Sequence, residues 1–355
     1  MKYSGKILFL MIFFTSGIIY SQQLSDPLTK KPIETDSLII ETSSANESDE
    51  EMKDHLSESY PLISDKWIDE IISTKEILSQ QNTTDESATG FVRVKYLVPK
   101  SFLVDSAKIL WELNIPEFCS YLYALYRQDT VFIDKWNNVV GTAKTRTNPG
   151  MFEAYRIRNW PSWKDPEKPE STPTPPGPNN PLGLFVVHYD ETSLRYFHGT
   201  NKSHLLSSQM RDLSHGCVRN ENKNIQKMKE FIIKKVVKSK DLTWWLDSKK
   251  TLSYDLTENE RFPVRILYKT YTVNRDENGV FIELFKDIYN FANARNYDKF
   301  TDPDYIYLST GENIFSEYKN RIRDNKLSDE EIKKAIDYIL QNRRYNHKYY
   351  ISDIL

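Results

Sequence analysis

The chain is poor in cysteine, in net charge and in long apolar runs, and each shortage narrows what it can be. Two cysteines in 355 residues, Cys119 and Cys217, leave no disulfide framework of the kind that staples small exported domains. A net charge of −2 argues against a nucleic-acid partner, which needs a basic face. The charge is unevenly placed: residues 24–59 carry ten acids and three bases, and residues 60–355 come to +3. The folded part is therefore close to neutral, and its overall field identifies no substrate. Beyond the first 21 residues no stretch is apolar enough to cross a bilayer. Within them, Lys2 and Lys6 precede the apolar run Ile7 to Phe14, and Ser21 offers a small residue ahead of Gln22. That is the pattern of a cleaved signal peptide, and it predicts export to the periplasm. No cysteine lies near the cleavage point, so nothing supports a lipid-anchored form.

Against this background one stretch is dense in reactive side chains. Tyr196 to Asn222 reads YFHGTNKSHLLSSQMRDLSHGCVRNEN and holds three of the six histidines and one of the two cysteines. Cys217 follows a glycine and precedes the amphipathic run Ile225 to Val237, which Asn220 or Asn222 could cap. A helix N-terminus or a nearby imidazolium lowers a thiol from its usual value of about 8.5, so the setting favours a thiolate. Two histidines compete to be its base. His215 is two residues away and shares a face with the thiol only if the backbone is extended. His198 lies 19 residues upstream, at the end of the strand-like run Ser193 to Phe197, in the sequence-distant pattern usual for a cysteine nucleophile. The set His198, His204, His215 and Cys217 could instead ligate zinc, but the spacing matches no finger or ribbon and a bound zinc would consume the nucleophile. A Cys119–Cys217 disulfide would block it too, and Cys119 reads instead as a small core residue of a strand.

His198, fifteen residues, then Ser214-His215-Gly216-Cys217-Val218-Arg219 resembles the signature of the L,D-transpeptidase catalytic domain. The motif fixes several rare residues at once, so accidental matches are few. The resemblance implies that Cys217 is the acylated nucleophile and His198 its general base, oriented by the carbonyl of Gly199. It places His215 and Gly216 on the wall and oxyanion side of the site, with amides around Gly216 and Cys217 donating to the tetrahedral oxyanion. The implied partner is a peptidoglycan stem peptide, cleaved between a third-position diamino acid and a terminal D-amino acid, with no cofactor and no metal. The acyl group then passes to an amine of a neighbouring stem or of an envelope lipoprotein. Transfer to water would make a carboxypeptidase or thiol hydrolase of the same peptides, and a non-catalytic envelope protein on the same fold is a further alternative. Arg219 could pair with a substrate carboxylate or hold the following loop through backbone carbonyls. Ser214 is expected to support the turn, Asn222 to be structural, and Tyr196 to lie in the core or the cleft wall.

The predicted fold class is α+β: a β-rich L,D-transpeptidase domain of mixed sheets with one helix after the cysteine, and helical N- and C-terminal flanks. After the signal peptide, residues 22–59 read as a disordered acidic linker. Residues 60–115 read as a small helical region, with helices over Tyr60 to Gln81 and around Ser101 to Leu113. Residues 116–275 form the catalytic domain, where Lys135 to Asn138 is expected to be a turn between two strands. Residues 276–355 read as a helical extension, with a capping box at Ser328 to Glu331. Eight of the sixteen prolines fall between Pro161 and Pro181, so the loop 160–181 is a stiff excursion ending just before the catalytic strands. Its tryptophans and prolines resemble a capping insertion over the cleft in the larger Gram-negative branch of the family, which implies a substrate-facing role for Trp163. The strings Thr147-Asn148-Pro149-Gly150 and Asp287-Ile288-Tyr289 resemble the same branch. His188 reads as a buried, satisfied strand residue.

Overall fold

A computed structural model of the chain describes residues 24–81, 91–165, 168, 170–322 and 326–355. The expected signal peptide at residues 1–21 lies outside the described residues. The chain divides into two compact units, one of residues 1–108, 123–134 and 230–236, the other of residues 109–122, 135–229 and 237–355.

The first unit is built on a three-stranded antiparallel sheet of β1 (Thr35–Thr42), β2 (Glu76–Gln81) and β3 (Phe91–Pro99), with β3 in the centre. In β3, Val92, Val94, Tyr96 and Val98 alternate inward, as a sheet covered on one face requires. Helices α1 (Ala45–Ser59) and α2 (Asp65–Ser73) cover it, and the short α3 (Lys100–Leu103) follows β3. Ser44 caps α1 by accepting from the Glu47 amide at 3.2 Å, and Ser64 caps α2. The stretch expected to be a disordered linker is thus a strand and a helix. In the helix most of its acids are exposed, while Met52 and Leu56, one turn apart, are fully buried. A sparse apolar stripe at helical spacing suffices once a sheet is there to receive it. The helix expected to run to Gln81 stops at Ser73, where Thr74 bonds the Ile71 carbonyl and accepts from the Leu97 amide. The chain continues as β2, so this region is mixed rather than helical.

Among the described residues the largest sheet has twelve strands, and most of their residues belong to the second unit. Its strands are β4 (Lys108–Asn114), β5 (Cys119–Tyr126), β6 (Asp129–Gly141), β7 (Gly150–Ala154), β8 (Arg156–Asn159), β9 (Phe185–Asp190), β10 (Arg195–His198), β11 (Asp212–Ser214), β12 (Val218–Asn220), β13 (Leu252–Asp255), β14 (Phe262–Lys269), and β17 (Ile306–Tyr307) at the edge. The order is β13-β8-β9-β10-β12-β6-β5-β4-β14-β17, with β11 beside β6 and β7 beside β14. The latter part of the second helix expected around Ser101 to Leu113 is β4, buried over nearly its whole length. A continuous apolar run fits a buried strand as well as a buried helix. The turn expected at Lys135 to Asn138 is absent, because β6 runs straight through it. Trp136 and Asn138 point inward there, and the Asn138 side chain accepts from Ser120 at 2.6 Å and donates to Asn220 at 2.7 Å. Consecutive asparagines, a turn signal in sequence, here bridge three strands.

After Cys217 comes α4 (Asn222–Phe231), prolonged by a π-helical turn over Ile232–Val236. The C-terminal part is not wholly helical. A small antiparallel sheet of β15 (Tyr271–Asp276), β16 (Gly279–Leu284) and β18 (Lys348–Tyr350) backs onto α5 (Gly311–Arg321) and α6 (Asp329–Gln341). Val273, Ile282, Ile314 and Ile336 are among the buried residues between them. The capping box at Ser328 and Glu331 forms as its sequence requires. No helix among the described residues is long and apolar enough to cross a membrane.

Candidate active site

The site is set by the register of two short strands. β10 and β12 pair in parallel, Phe197 opposite Val218 and His198 opposite Arg219. Phe197 and Val218 are fully buried, and Phe197 stacks on Trp111 with ring centroids 3.8 Å apart. With that pair facing the core, the two-residue period of a strand turns Tyr196, His198, Cys217 and Arg219 to the opposite face. A separation of 19 residues in sequence thereby becomes a neighbourhood on one sheet surface.

His198 is held from behind. Its Nδ1 lies 2.6 Å from the Gly199 carbonyl, and the residue is 4% exposed. A carbonyl only accepts, so the contact puts the ring proton on Nδ1 and leaves Nε2 as the basic nitrogen. The turn after it leaves no room for side chains. A Cβ on Gly199 would stand 2.2 Å from Asn222 Oδ1, and one on Gly183, at φ +64°, would stand 2.8 Å from the Gly199 Cα. Asn222 fills the space beside both glycines, accepting from the Thr200 amide at 3.0 Å and donating to its carbonyl at 2.8 Å. It is therefore a brace behind the histidine and not a helix cap. Burial, and then the Arg219 guanidinium, push the His198 imidazole down to about 3, against the carbonyls of Gly199 and Leu182, which favour the charged ring.

Cys217 is half-buried, its Sγ 3.8 Å from the Leu194 carbonyl. Burial raises its thiol above the usual range, and the Tyr196 amide, the Arg195 guanidinium, the Tyr196 hydroxyl and Arg219 offset part of that rise. The lowering expected for this thiol is thus not found. Burial outweighs the groups that favour the charged form, and the helix expected at the cysteine begins only at Asn222, after β12.

The turn before Cys217 is wound tightly. The buried Ser214 hydroxyl donates to the Cys217 carbonyl at 2.6 Å and accepts from the Gly216 amide at 3.1 Å. Gly216 sits at φ +107°, where a Cβ would strike the Arg195 guanidinium and the Arg146 carbonyl. Its amide, expected to serve the oxyanion, already has Ser214 as acceptor. His215 is exposed at the tip of this turn. Tyr196 is half-buried between two imidazoles, 5.0 Å from the ring of His188 and 5.6 Å from that of His198.

A support absent from the sequence reading lies beneath the turn. Thr147 Oγ1 donates to the Gly216 carbonyl at 2.8 Å and accepts from the Gly141 amide at 2.9 Å. Tyr289 completes the mesh, its hydroxyl donating to the Gly141 carbonyl at 2.7 Å and accepting from the Thr147 amide at 3.2 Å. Asp287 shapes the loop that delivers Tyr289, accepting from the Tyr268 hydroxyl at 2.5 Å and from the Phe291 amide at 2.9 Å. The strings around Thr147 and Tyr289 are visible in sequence, but nothing in them assigns a hydroxyl to a carbonyl 69 residues away.

The proline-rich loop is organised by Asn180, which is fully buried and donates to the carbonyls of Pro161, Thr174 and Pro175 while accepting from the Leu182 amide. Its exit brings the Leu182 carbonyl to the His198 ring. Trp163 pairs its backbone with Thr174, and no hydrogen bond or ring contact joins it to Cys217 or His198 among the described residues. Cys119 and Cys217 are both free thiols. Among the described residues no group of three His, Cys, Asp or Glu is arranged to hold a metal ion.

Fold and site together define a β-rich domain that presents a cysteine and a buried histidine from adjacent parallel strands. Residues 112–239 match the family model of the YkuD type, the L,D-transpeptidase catalytic domain. No curated protein matches the chain. Among solved structures, the chain is similar to Bd1075 of Bdellovibrio bacteriovorus at 13% identity and TM-score 0.26, covering 46% of this chain and 48% of that one. It is similar to an L,D-transpeptidase from Mycobacterium smegmatis at 14% identity and TM-score 0.26, covering 57% and 86%. The helical cell shape determining protein Pgp2 from Campylobacter jejuni matches at 12% identity and TM-score 0.25, covering 48% and 51%. The chain thus spans about half the length of the first and third of these.

Proposed function

We propose that the protein is an exported peptidoglycan L,D-transpeptidase in which Cys217 is the nucleophile and His198 the base. The observation that carries this reading is the β10–β12 register, which sets both side chains on one face beside a buried neutral imidazole. Acyl transfer then starts from two neutral groups. As the sulfur attacks the scissile carbonyl, the thiol proton passes to His198 Nε2, and the Gly199 carbonyl holds the imidazolium that forms. The imidazolium returns the proton to the departing amine of the D-amino acid, leaving a thioester. An acceptor amine attacks that thioester and gives its proton to His198, and collapse of the adduct returns the proton to the sulfur. The bond energy of the cleaved amide is kept in the thioester, so crosslinking needs no nucleotide. The Tyr196 hydroxyl faces the sulfur and is placed to donate to the oxyanion. Arg219 makes no ion pair among the described residues and suits a substrate carboxylate. Trp163 is the proposed substrate contact from the proline-rich loop, and residues 1–21 are the proposed export signal.

The test is incubation of the mature chain with disaccharide-tetrapeptide and analysis of the products beside Cys217→Ala. Crosslinked dimer from the wild type alone supports the transpeptidase. Tripeptide alone would move the assignment to a carboxypeptidase, and no turnover would refute the reading.

A further inference from the structure

Across the sheet, the row that contains His198 has an arginine on either side of it. Arg158 of β8 pairs with Val186 of β9, Val186 with His198 of β10, and His198 with Arg219 of β12, so these side chains share one face. The next row along holds Arg156, His188 and Tyr196. Arg156 is neutralised by Asp255, which accepts from its Nη2 at 3.2 Å. Arg158 is not: among the described residues it has no acidic partner, its Nη2 donates to Ser162 Oγ at 3.3 Å, and its Nε is buried without any partner. The His188 Nε2 is likewise buried and unpartnered, which corrects the expectation of a satisfied strand histidine. A buried donor left unsatisfied is costly, so the Arg158 Nε–H, with an unpartnered imidazole nitrogen in the next row, calls for an acceptor that arrives with the ligand.

We infer that Arg158 and His188 form a second carboxylate subsite, which takes an acidic group on the part of the peptide that stays bound to Cys217. The inference rests on the acyl-transfer reading and adds substrate chemistry to it. Distance decides which carboxylate is involved. Arg158 stands two strand spacings from His198, about 10 Å, whereas Arg219 is one spacing away, about 5 Å. The α-carboxylate of the departing D-amino acid lies close to the scissile carbonyl and falls within reach of Arg219. An extended peptide advances about 3.4 Å per residue, so a group at Arg158 belongs two or three residues away, or at the end of a branch, on the retained side. A carboxylate there accepts from the guanidinium in a fork, displacing the weak contact with Ser162, and an amide in its place loses the charge.

Synthetic tetrapeptide stems with the carboxylates of the retained part free, or amidated one at a time, test this on the full mature chain. The readout is formation of the Cys217 thioester by intact mass, as a function of stem concentration. One amidation is expected to raise KM by about 10–100-fold in the wild type. Arg158→Gln is expected to raise KM for the free acid by a similar factor and to abolish the difference between acid and amide, while Arg158→Lys restores part of it. If the wild type treats acid and amide alike, or Arg158→Gln still discriminates as the wild type does, the subsite is refuted while the transpeptidase reading stands. If no stem acylates the wild type, the functional reading falls and the subsite with it. The comparison within the wild type holds even where Arg158→Gln does not fold.

Discussion

Removal of one oxygen from Tyr289 tests how the catalytic turn is held. In Tyr289→Phe the ring stays in its buried stack against Tyr268, 5.3 Å between centroids, so packing is unchanged. What disappears is a hydroxyl that serves the Gly141 carbonyl at 2.7 Å and the Thr147 amide at 3.2 Å. Each buried group left without a partner costs about 1–3 kcal/mol, so the variant is expected to lose about 2–4 kcal/mol of stability. For a unit of this size that lowers the melting temperature by about 5–12 °C. The loss has a functional part, because Thr147 also carries the Gly216 carbonyl, one residue from the sulfur. A turn relaxed by about 1.4 kcal/mol in the transition state slows acylation about tenfold. Thr147→Val is expected to reproduce the kinetic effect. Calorimetry and single-turnover acylation below the lowered melting temperature measure the two parts. A melting temperature within about 1 °C of the wild type, together with an unchanged acylation rate, would refute the support assigned to Tyr289.

Three further outcomes follow from the geometry. His198 has a folded-state value of about 3 against 6.5 for a free imidazole, so the unfolded chain binds the extra proton first. Its contribution to stability is complete above about pH 6.5 and falls as pH drops toward 3, by up to about 4–5 kcal/mol, and the difference between wild-type and His198→Asn denaturation curves measures it. The same neutrality predicts an acylation rate without an acid limb near pH 6.5, and a limb there would contradict a neutral resting imidazole. Gly199→Ala drives a Cβ to 2.2 Å from Asn222 Oδ1 and is expected to cut acylation more than about 100-fold. The double variant with Asn222→Gly should recover part of that loss, and purely additive effects would count against the clash. Asn180→Ala removes three donated hydrogen bonds from the proline-rich loop, and faster proteolysis within residues 160–181 is the expected result.

The candidate site was legible in the sequence because it resides in rare residues at fixed spacing. The Gly199 carbonyl lies against His198 Nδ1, and β9 and β10 form the hairpin that their alternation suggested. Ser214 in the turn was also readable, since a small hydroxyl before His-Gly-Cys has few other uses. What sequence could not show are relations between distant strands. Asn138 looked like a turn residue because its partners, Ser120 and Asn220, are set only by sheet order. The rise of the Cys217 thiol comes from its burial, which no local spacing reveals. The acidic stretch before Tyr60 looked disordered because charge outnumbers its apolar stripe, and Met52 and Leu56 acquire meaning only against β3. Arg158 and His188 carried no signal of their own, because their significance lies in the rows they share with His198 and Tyr196.

The most direct measurement is the intact mass of the protein after a short incubation with tetrapeptide stem, followed by peptide mapping, for the wild type, Cys217→Ala and His198→Gln. A thioester on Cys217 in the wild type, none in Cys217→Ala, and formation slowed at least about 100-fold in His198→Gln is the predicted result. Acylation elsewhere in the chain, or an adduct that forms at the wild-type rate without His198, would contradict the account.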